Sequence, residues 1–472
     1  MTAAVPGRWL ALASSLALTL SGCADPAAPS QARPNFVLVS IDTLRADHVG
    51  AYGYFRDTTP VIDALAEESL LFEEAYSVMS LTLPSHTSLM TGRWPLEHGI
   101  LANLRDGGRL YAWSEDLMSF PAVLRAEGYR TAGFISAAPL KRPTGMATGF
   151  DDFDEPDGRE RVGADTVALA RAWLEEHRAQ KSGRPFFLFV HLYDPHWPQL
   201  PSAPYDTMFS GGAELDRWVT ERGLPDSAVR ARSGKSFDTR ETLNRYCGEV
   251  RYADAQVGVL FAGLRELGLW EDSIVVVTSD HGDGLNQHGI PGHDGHVWDE
   301  QLRVPLVVRF PAALAVDLPR RHAGLVSLVD LMPTIAGRVP AWDTPGVRAF
   351  LEQASGVDVL SESTAERGLL GQRTPHDLAG DPGARFSWTT DAWKFVHAPG
   401  GSDLLFDRAL DPHELTDAAL QRAELCEELR GEVVEVLRRQ TARGAALGGA
   451  GEGESDEQLL RQLEDLGYLG GD

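Results

Sequence analysis

Cysteine is scarce in this chain of 472 residues, and positive charge is scarce relative to negative charge. The three cysteines, Cys23, Cys247 and Cys426, are too few and too widely separated to form a disulfide scaffold or a zinc knuckle. Lysine and arginine number 43 against 68 aspartate and glutamate residues, which gives a formal net charge of −25. Because such an excess of negative charge repels the phosphate backbone, we expect no nucleic-acid partner.

The N-terminal apolar run is too short to cross a membrane. Residues Trp9 to Leu20 number twelve, whereas a spanning helix needs about 20. The run follows Arg8 and ends in Leu-Ser-Gly-Cys23, which resembles a bacterial lipobox. We therefore predict a lipoprotein signal peptide at 1–22, lipidation of Cys23 and a tether at 23–34. This predicts a cell-envelope protein on the periplasmic or extracellular face, bound to the membrane through its lipid anchor; the alternative is an ordinary secretory signal with an incidental cysteine.

Strand and helix patterns alternate through the rest of the chain. Short apolar runs at 36–41, 186–191 and 274–279 are typical of buried parallel strands, and helical periodicity fills the intervals. This alternation predicts an α/β fold with a doubly wound, largely parallel sheet. Ligands of such sheets lie beyond the carboxyl ends of the strands, where Asp42, His196, Asp280 and His281 fall.

The patterns also divide the chain. We predict a catalytic domain at 35–340, a smaller C-terminal α+β subdomain at 341–444, and a Gly/Ala/Glu linker with a terminal helix at 445–472. Within the catalytic domain, helical periodicity predicts a helix over 61–72. The polar interval 201–239 predicts an irregular inserted loop.

Several motifs resemble those of one enzyme family in both order and spacing. They lie at 35–54 (NFVLVSIDTLRADHVGAYGY), 82–92 (TLPSHTSLMTG), 186–198 (FFLFVHLYDPHWP), 246–260 (YCGEVRYADAQVGVL), 279–289 (SDHGDGLNQHG), 303–309 (RVPLVVR) and 326–334 (VSLVDLMPT). Together they resemble the sulfatase family of the alkaline phosphatase superfamily, from about Pro34 to the end of the chain. The resemblance implies an alkaline phosphatase-like fold and a metal-dependent hydrolase of a sulfate or phosphate ester.

The resemblance also implies the reacting residues. The positions of Asp42, Asp280 and His281 match metal ligands of the family, and that of Thr82 matches the nucleophile. Family sulfatases carry there a Cys or Ser that is converted to formylglycine, whereas oxidation of a threonine would give a ketone. We therefore expect Thr82 itself to be the metal-bound nucleophile, since metal coordination activates a weak hydroxyl and related phosphodiesterases and phosphotransferases use threonine. Its position at the predicted start of a helix would favour a bound anion.

The expected cofactor is one divalent metal ion. Asp42 is followed by Thr43, where many sulfatases have a second carboxylate, so four ligands remain: Asp42, Thr82, Asp280 and His281. Oxygen ligands with one imidazole suit Mn²⁺, Ca²⁺ or Mg²⁺, with Zn²⁺ as a further option. The less favoured alternative is a two-zinc site drawing on additional histidines, namely His191, His288, His293 and His296.

The remaining site predictions concern the ester. His196 matches the family position that contacts the ester oxygens, and His293, in competition with His296, would protonate the leaving group. Substrate-binding roles are predicted for His86, which replaces the family's arginine, and for Asn103 and His296. The substrate would be a small-molecule, glycan or lipid-headgroup ester.

Two functions other than ester hydrolysis remain open at this point. A phosphodiesterase or a transferase of a phosphoryl headgroup would use the same Thr82 intermediate, and the transferase would pass it to an acceptor alcohol. Alternatively, a site in which Thr82 only caps a helix would bind sulfated or phosphorylated glycans without turnover.

Overall fold

The computed structural model describes residues 1–3, 33–105, 108–224, 229–230, 236–293, 296–362, 367–373, 383–447, 450–452 and 456–465. The chain divides into two compact units, Met1–Ala32 and Arg33–Asp472, and the second contains all elements described below. All but the first three residues of the predicted signal peptide, the predicted lipidation site Cys23 and most of the predicted tether lie outside the described residues. None of the helices in the described ranges is both long and apolar enough to cross a bilayer.

The strands fall into one large and three small sheets. In chain order they are β1 Asn35–Ile41, β2 Leu70–Tyr76, β3 Tyr111–Ala112, β4 Arg130–Phe134, β5 Asp152–Asp154, β6 Phe186–Leu192, β7 Val229–Arg230, β8 Ser236–Phe237, β9 Ser273–Thr278, β10 Arg303–Val304, β11 Leu306–Arg309, β12 Arg321–Ser327, β13 Leu369–Arg373, β14 Arg385–Thr389, β15 Trp393–His397, β16 Leu404–Asp407 and β17 Gly451–Glu452.

The helices lie between these strands and in the C-terminal region. They are α1 Pro60–Glu68, α2 Thr82–Thr91, α3 Pro95–His98, α4 Phe120–Ala126, α5 Gly163–Ala179, α6 Ala213–Glu221, α7 Thr239–Glu266, α8 Asp299–Leu302, α9 Leu331–Arg338, α10 Pro345–Gln353, α11 Ala423–Ala446 and α12 Glu457–Asp465.

The main sheet has the order β10-β2-β11-β9-β1-β6-β4-β5, with β12 also paired to β2. All of its strands run parallel except β10 and β11. In the centre, Ser40 of β1 lies opposite both His191 of β6 and Thr278 of β9. The three central strands therefore end together, which brings the residues that follow them to one edge.

Side chains of β1 alternate between two hydrophobic cores because successive residues of a strand point to opposite faces. Phe36 and Leu38 pack in a core formed with α2, α4, α9 and α10. Val37 and Val39 pack in a second core formed with α1, α5, α6 and α7. Helices thus cover both faces of a largely parallel sheet, which confirms the predicted doubly wound α/β class.

A small antiparallel sheet, β13-β14-β15-β16, forms the C-terminal subdomain. On one face Phe395 packs against Leu429 and Val433 of α11. On the other face Val396 and Phe406 pack in a cluster with residues of the main domain. The helix α10 belongs to the main core, where Phe350 contacts Phe120 at a ring-centroid distance of 5.1 Å.

Two local predictions differ from the structure. The predicted helix 61–72 ends at Glu68, and Leu70 begins strand β2, which pairs with β10, β11 and β12. A short apolar run is compatible with either element, and the available strand partners decide. The interval 201–239 contains the helix α6, which buries Leu215, Trp218 and Val219 on one face.

Candidate active site

The carboxyl edge of the main sheet collects the predicted metal ligands. Asp42 follows β1, and Asp280 and His281 follow β9 with one residue between. One ligand atom from each of these three residues lies within 4.8 Å of the others, and all three side chains are fully buried. Three distant segments of the chain therefore meet at one point.

The electrostatics of this cluster fit a divalent cation. Among the described residues, Asp42 Oδ1 and Asp280 Oδ2 are buried oxygens without a hydrogen-bond partner, and the nearest imidazole nitrogens to Asp280 Oδ2 are His281 Nε2 at 3.4 Å and His86 Nδ1 at 3.5 Å. Burial raises the pKa of Asp42 well above its ordinary value, and burial together with the charge of Asp42 raises the pKa of Asp280 to about 7. His281 Nδ1 lies 2.9 Å from the carbonyl oxygen of Gly282 and donates to it, so the lone pair is on Nε2. Two unsatisfied carboxylate oxygens and an imidazole lone pair could hold a metal ion.

Thr82 begins α2, as predicted, and its hydroxyl is next to the cluster. Its Oγ1 lies 3.5 Å from Asp42 Oδ2 and donates to it. The residue before it, Leu81, provides no side-chain cap for the helix. Asn103 supplies one from another segment, since its Oδ1 accepts the Leu83 N–H at 2.8 Å. The amide Nδ2 of Asn103 is buried and has no hydrogen-bond partner in the part of the chain that the structure describes, which leaves a donor beside the start of the helix.

His196 and His293 are in direct contact. Their Nε2 atoms are 2.9 Å apart, and each Nδ1 faces a carbonyl oxygen, that of Trp197 at 2.7 Å and that of Ser80 at 3.0 Å. Carbonyl oxygens only accept, so hydrogen on both Nδ1 atoms suits these contacts, and a hydrogen bond between the two Nε2 atoms forms when one of them is also protonated. Burial and the adjacent His293 lower the pKa of His196 well below its ordinary value, so His196 is neutral at neutral pH.

His293 connects this pair to the metal-ligand cluster. Its ring lies 4.4 Å, centroid to centroid, from that of His281. His196 is almost fully buried and stacks on Tyr193 at 4.2 Å, whereas His293 is half-buried. An ester that reached the cluster from the side of His293 would therefore meet an imidazole that can donate a proton when it is protonated.

His86 lies at the site, but its contacts differ from the predicted substrate-binding role. Its Nδ1 donates to the Thr82 carbonyl oxygen at 2.8 Å, and its Nε2 lies 3.0 Å from Ser40 Oγ. Burial lowers the pKa of His86 to about 4, so the ring is neutral. Because both ring nitrogens bond within the protein, His86 orients the first turn of α2.

The other predicted histidines divide between the site and the subdomain interface. The carbonyl oxygen of His296 accepts from Ser80 Oγ at 3.1 Å, which places the residue beside the His293 segment. His288 lies away from the cluster: its Nδ1 pairs with Glu300 at 2.8 Å, and its Nε2 lies 3.1 Å from the Glu414 carbonyl oxygen. His288 therefore joins the main domain to the C-terminal subdomain.

Two residues at the site had no assigned role in the favoured sequence interpretation. His191 lies 3.2 Å, through Nε2, from Asp42 Oδ2, and burial lowers its pKa to about 4. Asp283 is buried close enough to His293 for their charges to interact, and burial raises its pKa to about 6. The sequence contained a signal for Asp283, because it is a second carboxylate only three positions after Asp280. His191 is the penultimate residue of β6, where a polar side chain interrupts an apolar strand.

The family model described as Sulfatase matches residues 34–340. The chain belongs to the sulfatase family. This sulfatase-family protein is 26% identical over 445 residues to an ulvan-active sulfatase of Formosa agariphila, across 85% of this chain and 81% of the relative. It is 25% identical to the multifunctional alkaline phosphatase superfamily protein PehA of Trinickia caryophylli, across 82% of this chain and 91% of PehA.

Solved structures agree with the fold. The phosphonate monoester hydrolase of Agrobacterium radiobacter superposes with a TM-score of 0.68 at 21% sequence identity, across 87% of this chain and 96% of the hydrolase. Family membership and the two curated relatives identify the sulfatase-family protein as a hydrolase acting on sulfuric or phosphoric ester bonds.

Proposed function

We propose that this protein hydrolyses a phosphoric ester, in preference to a sulfuric ester, through a covalent intermediate on Thr82. The observation that carries the proposal is the Thr82 hydroxyl at the buried start of α2, 3.5 Å from Oδ2 of Asp42, which is one of the three residues of the metal-ligand cluster. A threonine intermediate must be released by attack of water on the central atom. Phosphorus accepts such attack through the in-line displacements that metal sites promote.

Each side chain has a defined task in this reaction. The Thr82 hydroxyl transfers its proton to Asp42 as its oxygen bonds to phosphorus, and the bond from phosphorus to the leaving oxygen breaks. His293, protonated on Nε2, passes that proton to the leaving oxygen, so that an alcohol leaves. The free Nδ2–H of Asn103 can donate to a non-bridging oxygen. A water molecule then attacks phosphorus and gives a proton to His293, the bond from phosphorus to Thr82 Oγ1 breaks, and Asp42 returns its proton to that oxygen.

The proposed cofactor is one divalent ion, Mn²⁺, Ca²⁺ or Mg²⁺, with Zn²⁺ less favoured. Asp42, Asp280, His281 and the Thr82 oxygen would hold it. When bound, such an ion lowers the pKa of the threonine hydroxyl and neutralises the non-bridging oxygens of the ester. The unpartnered oxygens of Asp42 and Asp280 support this set.

We further propose that lipidated Cys23 anchors the enzyme in the cell envelope, on the periplasmic or extracellular face. The lipobox-like sequence Leu-Ser-Gly-Cys23 after a short apolar run supports this proposal. The substrate would be a small-molecule, glycan or lipid-headgroup ester.

Initial rates on four aryl esters test the proposal. The substrates are an aryl phosphate, a bis-aryl phosphodiester, an aryl phosphonate and an aryl sulfate, each with EDTA-treated protein plus Mn²⁺, Ca²⁺, Mg²⁺ or Zn²⁺. Thr82→Ala should abolish turnover, and Thr82→Ser, which keeps a hydroxyl, should retain it. Hydrolysis of the aryl sulfate by Thr82→Ala would refute the assignment of Thr82 as the nucleophile. Glycerol products formed in competition with water would favour the transferase.

A further inference from the structure

The last described helix packs against the segment that carries Asn103. Leu459 and Leu463 of α12 form a hydrophobic cluster with Leu104, Leu110 and Ala138, and each of these side chains is at most 3% exposed. Leu104 directly follows Asn103, and Ala138 lies in the segment after β4 at the same edge of the sheet as the site. The C-terminal region thus reaches the neighbourhood of Thr82 although more than 350 residues separate them in sequence.

Hydrogen bonds reinforce this contact on both sides of the cluster. Strand β17 pairs with β3, with Gly451 opposite Ala112. Arg105 Nη1 donates to the Gly451 carbonyl oxygen at 3.0 Å. Lys141 Nζ donates to Gln462 Oε1 at 2.8 Å. Strand β17 and helix α12, which together we call the C-terminal clamp, therefore hold Leu104 itself and the polypeptide that follows it.

Asn103 connects the clamp to the nucleophile. It is fully buried, and its Oδ1 accepts the Leu83 N–H in the first turn of α2. That amide would otherwise be unsatisfied, because the first N–H groups of a helix have no partner within it and Leu81 provides no cap. A shift of Leu104 would move Asn103, and with it both this cap and the free Nδ2–H beside Thr82.

We infer that the C-terminal clamp is a positioning element, which holds Asn103 in the orientation that caps α2 and presents an amide donor to the ester. The donor role rests on the proposed function, whereas the capping role does not. The clamp residues touch neither the metal-ligand cluster nor the His196–His293 pair in any described contact.

A double-mutant cycle in the full-length protein tests the inference. Leu459→Ala/Leu463→Ala should lower kcat/KM on the best aryl ester about tenfold in the wild-type background and less than about twofold in an Asn103→Ala background, because coupled residues are non-additive. Leu429→Ala is the matched control: it empties a buried leucine site in the C-terminal subdomain core, away from Asn103. It should leave kcat/KM unchanged. Equal losses in both backgrounds would overturn the inference.

Hydrogen exchange at the Leu83 amide provides a readout that needs no turnover. Exchange should accelerate about tenfold in Asn103→Ala and in the clamp variant, but not in Leu429→Ala. If the double variant fails to fold, Gln462→Ala replaces it, because this change removes the hydrogen bond to Lys141 with little loss of apolar volume. Gln462→Ala should also accelerate exchange of the Leu83 amide, by a smaller factor. Unchanged Leu83 protection in every folded clamp variant would refute the clamp. An inactive wild-type protein with accelerated exchange in these variants would refute only the proposed function.

Discussion

Neutralising Asp280 should stabilise the metal-free protein at alkaline pH. Burial and the charge of Asp42 raise the pKa of this carboxyl from 3.8 to about 7. The folded state therefore binds the proton more tightly than the unfolded chain, and the associated stability is lost as the pH rises from about 4 to about 7. A shift of about three pH units corresponds to about 4 kcal/mol. Asp280→Asn should raise the free energy of unfolding at pH 8 by up to about 4 kcal/mol and change it far less at pH 4.

Urea unfolding of EDTA-treated protein at both pH values measures this difference. The asparagine keeps an Oδ1 to accept the His281 N–H, a bond of 2.9 Å, so the geometry is preserved while the charge is removed. Manganese at about 100 times its dissociation constant should then stabilise the wild type by about 2.7 kcal/mol, but not the variant. Asp254→Asn is the control, since Asp254 is another buried carboxyl whose pKa burial raises to about 7. The Asp254→Asn variant should still be stabilised by manganese to the same extent as the wild type. An increase in the free energy of unfolding of Asp280→Asn that is equal at pH 4 and pH 8 would refute the electrostatic argument.

Three further predictions address the proton donor, the subdomain interface and the core. His293→Ala should lower kcat/KM by about 10² to 10⁴ for esters with alkyl leaving groups and much less for nitrophenyl esters, as a leaving-group series would show; a uniform loss would exclude His293 as the acid. Lys394→Met removes the buried ammonium group that pairs with half-buried Asp299 and buried Glu414, so it should cost about 3–5 kcal/mol of unfolding free energy, and a neutral outcome in urea would contradict the ion pair. Trp342→Ala should cost about 3–5 kcal/mol, because Trp342 is 1% exposed and donates to Tyr129 Oη at 2.7 Å; calorimetry that found no change in melting temperature would count against this packing.

Much of the fold could be predicted because its signals are local. The apolar strands at 36–41, 186–191 and 274–279 match β1, β6 and β9 within one residue at each end. Their burial on both faces requires continuous apolar runs, which sequence displays directly. The start of α2 at Thr82 was also predictable from a local signal, because Pro84 suits the first turn of a helix. Strand β2 could not be predicted in this way, because a short apolar run forms a strand only where neighbouring strands are available to pair with it.

By itself, the sequence determined that Asp42, Asp280 and His281 follow strands of one parallel sheet, and topology then requires them to share an edge. Only the tertiary structure decided which side chains support them. It brought His191 within hydrogen-bond distance of Asp42 and His196 within hydrogen-bond distance of His293. It also gave both ring nitrogens of His86 hydrogen-bond partners inside the protein. It also brought α12 against the Asn103 segment. These contacts join residues far apart in sequence, and they depend on distances of a few ångströms that residue type and spacing do not encode.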